Sequence, residues 1–211
     1  MSINLLLATT VLSNYLLVTT SRAEKAILLA AVQGILLGLV LFSMHTHWAW
    51  HVVAMAVFTI LIKGVAIPAM LSRAQKGARD LPGRETFLGY TLSLVLLAAG
   101  TGLSLILAER LPLRLGTEQT LFVPASLTTL FTGFLLLAAR RRALIQVVGY
   151  LVLENGVFLF GLLLVKEMPL LVETGVLLDL VVGIFVMGVV INHIQQAFET
   201  QDTGRMSRLK D

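Results

Sequence analysis

Seven long apolar segments limit what this chain can fold into. Each has 18 or more residues, enough for a helix to cross about 30 Å of hydrocarbon at about 1.5 Å per residue. Only 13% of the residues are charged, against about 25% in soluble domains. We therefore predict an all-α, polytopic membrane protein with about seven transmembrane helices. They are predicted at Ile3–Thr20, Ala26–Met44, Trp48–Leu71, Phe87–Ala108, Thr120–Ala139, Ala143–Val165 and Leu170–Ile191.

Lysine and arginine are distributed unevenly between the segments that connect these helices. Twelve lie in the first, third and fifth connections and the C-terminal tail, and three lie on the opposite side. Cytoplasmic loops of membrane proteins carry the excess of basic residues, so the N-terminus is predicted outside and the C-terminus in the cytoplasm. The net charge of +4 then records orientation, and no nucleic acid partner is expected. A multi-pass protein of the cell inner (cytoplasmic) membrane is the predicted location.

Cysteine is absent from the sequence, which excludes disulfides, thiolate nucleophiles and cysteine-bound zinc or iron–sulfur clusters. His47 and His51 are four residues apart and could share a helix face as metal ligands. Together with Trp48 and Trp50, they are more simply interpreted as a belt of amphipathic rings at the membrane interface. We expect no cofactor, no metal and no catalytic centre in this chain.

Four charged side chains lie inside the apolar segments: Lys63, Glu154, Glu173 and Asp179. A charge near the membrane centre costs at least about 2.5–3.5 kcal/mol, and such residues usually mark ion or proton pathways. We assign proton transfer to Glu154 and Asp179, with Glu173 near the outer mouth. An internal Lys63 would oppose the effect of desolvation on a buried carboxylate, a balance that suits a reversible proton carrier. In the alternative interpretations, Lys63 snorkels, Glu173 is an interfacial acid, and the acids form buried pairs that fix assembly.

Six uncharged residues are expected to support these charges: Asn155, Gly149, Gly156, Gly175, Gly183 and Pro68. Glycines allow close approach of a neighbouring helix, and Asn155 can supply hydrogen bonds beside Glu154. Pro68 lacks an N–H for the carbonyl of Gly64, which predicts a helix kink beside Lys63.

Short groups of residues in the second half of the chain resemble the hydrogenase-4 component E family. They are Arg141-Arg142, Gln146-Val147-Val148-Gly149-Tyr150, Leu153-Glu154-Asn155-Gly156, Leu171-Val172-Glu173-Thr174-Gly175 and Asp179. Lys63 with Pro68 resembles the third helix of that family, and Ser207-Arg208-Leu209-Lys210 resembles its tail. The part from Thr120 onward also resembles the K subunit of NADH–quinone oxidoreductase and the C subunit of multi-subunit cation/proton antiporters. Glu173 matches an acid of the K subunit, whereas Glu154 is offset by about one turn.

The resemblance implies a single membrane domain, 1–211, with four helices in 1–119, a K-subunit-like unit in 120–195 and a cytoplasmic tail in 196–211. It implies a non-catalytic subunit of a hydrogenase- or formate-hydrogenlyase-type complex that takes part in proton or Na⁺ translocation. The partners would be antiporter-like and other membrane subunits, together with a hydrogenase or dehydrogenase peripheral arm. The NiFe centre and iron–sulfur clusters would lie in those partner subunits. A structural scaffold of that complex and a subunit of a cation/proton antiporter remain the alternatives.

Overall fold

In the part of the chain that the structure describes, the apolar segments of membrane-spanning length fold into helices. The computed structural model describes residues 2–44, 50–77, 88–111 and 120–164. Their α-helices are α1 (Ile3–Thr19), α2 (Ala23–Met44), α3 (Trp50–Thr59), α4 (Ile67–Gly77), α5 (Tyr90–Arg110), α6 (Phe122–Ala139) and α7 (Ala143–Leu164). The predicted last span lies outside these residues, and with it Glu173, Gly175, Asp179 and Gly183.

A π-helical segment, Ile60–Ala66, joins α3 to α4 without a break, so residues 50–77 form one continuous helix that we call the rod. Its C-terminal half extends beyond the predicted end at Leu71 as far as Gly77, so the connection expected to begin there is helical over residues 72–77. Arg73 lies on α4 with its side chain exposed, while Leu71 and Ala74 face the protein. Arginine, lysine and glutamine are good helix formers, so the helix continues past the end of its apolar stretch.

Five helical stretches among the described residues are long and apolar enough to cross a membrane. They are Ala23–Met44, Ala56–Gln75, Tyr90–Arg110, Phe122–Ala139 and Ala143–Leu163. The first helix is apolar but has 17 residues, one fewer than the sequence predicted at minimum. The chain is therefore an all-helical, multi-pass membrane protein, while the count of seven helices and the orientation stay predictions.

Two helical hairpins form the frame of the molecule. Three residues, 20–22, separate α1 from α2, and three more, 140–142, separate α6 from α7. Connections this short make consecutive helices pack side by side in opposite directions. The central helix is α2, which packs against α1, the rod and α7.

Glycines bring the central helix onto the rod. A Cβ added at Gly34 would lie 2.6 Å from the backbone carbon of Lys63, and one at Gly38 would lie 2.3 Å from the Ile60 side chain. The two glycines are four residues apart on α2, the small-xxx-small spacing that lets helix backbones approach closely in membranes. Gly64 of the rod faces Ile35 of α2 in the same contact. The backbone of α2 thus touches the rod at the position of its one internal charge.

The second hairpin is closed in the same way. A Cβ at Gly133 of α6 would lie 2.4 Å from the backbone nitrogen of Leu153, and one at Gly156 of α7 would lie 2.5 Å from that of Leu130. Gly149 also faces α6, near Leu136. The close neighbour of both α7 glycines is therefore α6.

Candidate functional site, a buried ion pair

Lys63 and Glu154 form an ion pair in the middle of the helix bundle. The Lys63 Nζ lies 2.7 Å from Glu154 Oε1, and the two side chains are 5% and 3% exposed. Glu154 lies eleven residues from the start of α7, or about 16 Å along its axis. Because both side chains are buried, their mutual attraction offsets part of the cost of removing each charge from water.

The π-helical segment determines where the lysine points. Ile67 N–H bonds to Ile62 O, five residues back instead of four, and Pro68 has no N–H to give to the preceding turn. A π-helical turn contains an extra residue, which rotates the side chains relative to an α-helix. Leu61 and Val65 are each 55% exposed, whereas Lys63 faces the interior.

One face of α7 receives the ammonium group. Besides Glu154, the Lys63 Nζ donates a hydrogen bond of 3.3 Å to Asn155 Oδ1. The ring centre of Phe158, four residues after Glu154, lies 5.1 Å from the same nitrogen. An aromatic face at this distance attracts a cation electrostatically. The sequence-predicted Lys63, Glu154 and Asn155 are therefore brought together, and Phe158 joins them.

The carboxylate is less completely satisfied than the ammonium. Its contact with Lys63 is an ion pair by distance but lacks the orientation of a hydrogen bond, and Oε2 has no hydrogen-bond partner among the described residues. Buried polar atoms are normally paired. Glu154 is thus the member of the pair with free capacity to accept a proton.

A small cavity lies beside the ion pair. Its volume is about 10 Å³, close to what one water molecule needs. Its wall includes Lys63 and Asn155, together with the apolar residues Pro68, Leu71 and Leu151. Pro68 and Leu71 follow Lys63 along the rod, and Leu151 precedes Glu154 on α7, so they lie on the side that the predicted topology places in the cytoplasm.

A chain of buried amides extends from the ion pair across the bundle. Asn155 Nδ2 donates to Gln33 Oε1 at 3.4 Å, and Gln33 Nε2 donates to Asn14 Oδ1 at 2.7 Å. Asn14 Nδ2 then donates to Thr129 Oγ1 at 2.9 Å. Gln33, Asn14 and Thr129 are fully buried. We call Glu154, Lys63, Asn155, Gln33, Asn14 and Thr129 the ion-pair chain.

The amide residues of α1 and α2 are not among the sites expected from the sequence. Asn14 and Gln33 are uncharged, so they do not stand out beside an acid in an apolar segment. The sequence does contain an indication of their role, because asparagine and glutamine side chains in membrane helices usually form hydrogen bonds to another helix. Gly34 and Gly38 carry a second signal, the spacing of four that marks a close contact.

A second polar cluster lies between α1, α5 and α6 and contains hydroxyl groups alone. Tyr15 OH donates to Thr101 Oγ1 at 3.0 Å, and Ser104 Oγ shares a hydrogen bond of 2.9 Å with Thr128 Oγ1. Ser104 and Thr128 are buried, and the other two are half-buried. We call these four residues the hydroxyl cluster.

The arginine triplet between α6 and α7 is partly inside the protein. Arg140 is 2% exposed; its guanidinium lies 4.3 Å from the ring centre of Tyr90 and donates to the carbonyl of Val18. Gln146 Nε2 donates to the carbonyl of Arg140 at 2.9 Å. Arg140 therefore ties α1, α5 and α6 together, while Arg141 is exposed.

Comparison with known proteins supports the family suggested by the residues of α7. The chain is 27% identical to hydrogenase-4 component E of Escherichia coli K12 over 153 residues, which are 71% of this chain and 69% of that protein. It is 29% identical over 161 residues to uncharacterized protein Rv0085 of Mycobacterium tuberculosis, with 75% and 73% coverage. No family model and no solved structure matches the chain. The chain is thus a distant homologue of hydrogenase-4 component E, and the likeness of 120–195 to a K subunit stays a prediction.

Proposed function

We propose that this chain is an integral membrane subunit of a hydrogenase- or formate-hydrogenlyase-type complex in which the Lys63–Glu154 pair takes part in proton translocation. The single observation that carries the proposal is this buried ion pair, with contact at 2.7 Å between helices of membrane-spanning length. Its support is the distant homology to hydrogenase-4 component E. The redox chemistry, the NiFe centre and the iron–sulfur clusters belong to partner subunits, and the site serves H⁺ or Na⁺.

The chemistry of the pair suits reversible protonation of Glu154. Desolvation favours the neutral acid, while the ammonium 2.7 Å away favours the carboxylate. A change in the distance between the two side chains therefore shifts the balance between the two forms. Movement in a partner subunit during the redox cycle would be enough to take up and release a proton here.

The cavity beside Lys63 would hold a water molecule that passes this proton on. It has room for about one water molecule and is lined by both Lys63 and Asn155. Its residues Pro68, Leu71 and Leu151 lie on the side of the ion pair that the predicted topology places toward the cytoplasm. Asp179 and Glu173, outside the described residues, keep their proposed roles on the path toward the outer side.

Replacing Glu154 with Gln tests the proposal. Hydrogen- or formate-driven proton uptake by inverted membrane vesicles should fall to background for each assembled complex, because the amide cannot take up a proton. Hydrogen turnover with an artificial electron acceptor should persist, since that chemistry lies in partner subunits. Glu109→Gln, at the exposed end of α5, is the matched control and should keep uptake. Normal uptake in Glu154→Gln would exclude this residue from the path.

A scaffold role is the second candidate, favoured by the way the charges tie several helices together. If the pair only fixes assembly, replacing both charges with Met should leave proton uptake per complex intact, since apolar isosteres can replace a buried ion pair. If the pair translocates protons, the same double variant assembles and does not translocate. A third candidate, a cation/proton antiporter subunit without a redox partner, is distinguished by neighbouring genes that encode antiporter subunits alone.

A further inference from the structure

The hydrogen bonds of the ion-pair chain all point in one direction, and the Lys63 ammonium imposes it. An ammonium can only donate, so Asn155 must accept with Oδ1 and is left to donate with Nδ2. The same step repeats at Gln33 and again at Asn14, each of which accepts with its oxygen and donates with its nitrogen. Every amide dipole in the chain therefore has its negative end toward Lys63.

The far ends of the chain are backbone carbonyls. Thr129 Oγ1 donates to Ala125 O at 2.7 Å. Gln33 Nε2 also donates to Ser13 Oγ, which donates to Thr10 O at 2.7 Å. A carbonyl within a helix has no proton to pass on, and an amide that relayed one would have to become an unstable imidic acid. The chain therefore ends in acceptors and does not suit proton conduction.

Because its amide dipoles are aligned, the ion-pair chain is suited to stabilising a positive charge at its Lys63 end. Hydrogen bonds in series polarise one another and become stronger, and in an interior of low dielectric constant their oxygen ends stabilise a positive charge. Gln33 is the branch point because it accepts from Asn155 and donates to both Asn14 and Ser13. Its neighbour Gly34 packs on the backbone of Lys63, so this amide is located next to the rod by helix contact.

We propose that Gln33, supported by Asn14, is a positioning residue that holds the Lys63 ammonium against Glu154 through Asn155 and carries no proton itself. The hydrogen bond from Asn155 to Gln33 fixes the Asn155 oxygen toward the ammonium. Loss of that bond frees the Asn155 amide to rotate, and the ion pair opens more often. This inference rests on the proposed function only where it concerns translocation. The position of Lys63 is measured independently of proton uptake.

Amine labelling of the full-length chain in lipid vesicles measures how often the pair opens. A small, membrane-permeable acetylating reagent reacts with the free amine, and mass spectrometry of the Lys63 peptide gives the rate, with exposed Lys25 as internal reference. In Gln33→Met, which retains volume and loses both hydrogen-bonding functions, Lys63 should react about two- to tenfold faster, as expected for one lost hydrogen bond. Ser104→Ala, in the hydroxyl cluster, is the matched control and should react at the wild-type rate.

Gln33→Glu separates positioning from packing. A glutamate retains an oxygen that accepts from Asn155 in either protonation state, so Lys63 should react at close to the wild-type rate and clearly more slowly than in Gln33→Met. Equal acceleration in Gln33→Met and Gln33→Glu, or none in Gln33→Met, would overturn the proposal. Should Gln33→Met not purify as a monodisperse protein, Asn14→Leu removes the next link and should accelerate labelling by about twofold, and unchanged labelling would count equally against the proposal.

Translocation measurements on the same variants keep the two proposals distinguishable. Normal uptake in Glu154→Gln defeats the proposed function and leaves the labelling result standing. Lost uptake in Gln33→Met with unchanged Lys63 labelling would make the amides a proton route and overturn the positioning role.

Discussion

The ion-pair chain and the hydroxyl cluster are both buried between helices, yet they constrain the fold to different degrees. In the hydroxyl cluster, Thr101 donates to Leu97 O and Ser104 donates to Thr101 O, each within its own helix. A hydroxyl has a single proton, which a carbonyl of the preceding turn can accept. These side chains are therefore already satisfied before another helix arrives.

Amides and charges have no such local solution. A glutamine has two donors and a carbonyl acceptor, and Gln33 bonds to Asn155, Asn14 and Ser13, none of them in its own helix. Lys63 and Glu154 are 91 residues apart and depend on each other. In an apolar bundle, the side chains that find no hydrogen-bond or charge partner in their own helix therefore determine which helices must be neighbours.

The largest effect is expected from removing one charge. Lys63→Met should lower the free energy of unfolding by about 3–5 kcal/mol, because it leaves Glu154 buried without its partner. Lys63→Met combined with Glu154→Met should recover most of that loss. Detergent titration of the purified chain, followed by circular dichroism, measures these values, with Lys25→Met at an exposed site as control. A double variant as unstable as the single one would contradict the pairing.

A methyl group at Gly34 should have the next largest effect. Its Cβ would lie 2.6 Å from the backbone of Lys63, which cannot move aside as a flexible side chain can. Gly34→Ala should therefore cost about 1–3 kcal/mol in the same titration.

The matched substitution is Gly102→Ala on α5, next to the hydroxyl cluster. No described atom lies within 4 Å of a Cβ there, so the change should be neutral or stabilising by up to about 1 kcal/mol through helix propensity. Equal effects at both glycines would show that α2 does not touch the rod at Lys63.

Substitutions of single hydroxyls compare the two clusters directly, and the smallest destabilisation is expected at Thr128. Thr129→Val removes the acceptor of Asn14 Nδ2 and leaves a buried donor unpaired, at a cost of about 1–3 kcal/mol. Thr128→Val removes a hydroxyl whose partner Ser104 keeps its own carbonyl bond, at about 0.6 kcal/mol. The two threonines are adjacent on α6, so a reversed order in the detergent titration would show that Asn14 depends on Thr129 no more than Ser104 depends on Thr128.

Much of the local structure was predictable from residue order. Apolar length placed five of the seven predicted helices within three residues of those found, the third ends six residues later than predicted, and the seventh lies outside the described residues. Lys63 and Glu154 were predictable as internal charges, because both lie near the middle of apolar runs. The extension of the rod past Leu71 was not predicted. Hydropathy alone assigns the polar residues after Leu71 to a loop, although they have good helix propensity.

Contacts between helices were harder to predict. Nothing local connects Gln33 with Asn14 or Asn155, because the partners lie 19 and 122 residues away. Their hydrogen bonds depend on α2 lying between α1, the rod and α7, which follows from glycine contacts along several helices at once. Pro68 predicted only a kink beside Lys63, and not the π-helical segment that is found there. The direction in which this segment points Lys63, toward α7, depends on the packing of the helices.

By itself the sequence determined that the chain is helical, that it belongs in a membrane, and that Lys63 and Glu154 lie where lipid would not tolerate them. The tertiary structure decided that these two charges meet, that Asn155 and Gln33 extend the contact, and that the hydrogen bonds run in one direction. The reason is physical: helix formation is satisfied within each segment, whereas a buried charge or amide is satisfied only by whatever another helix brings to it.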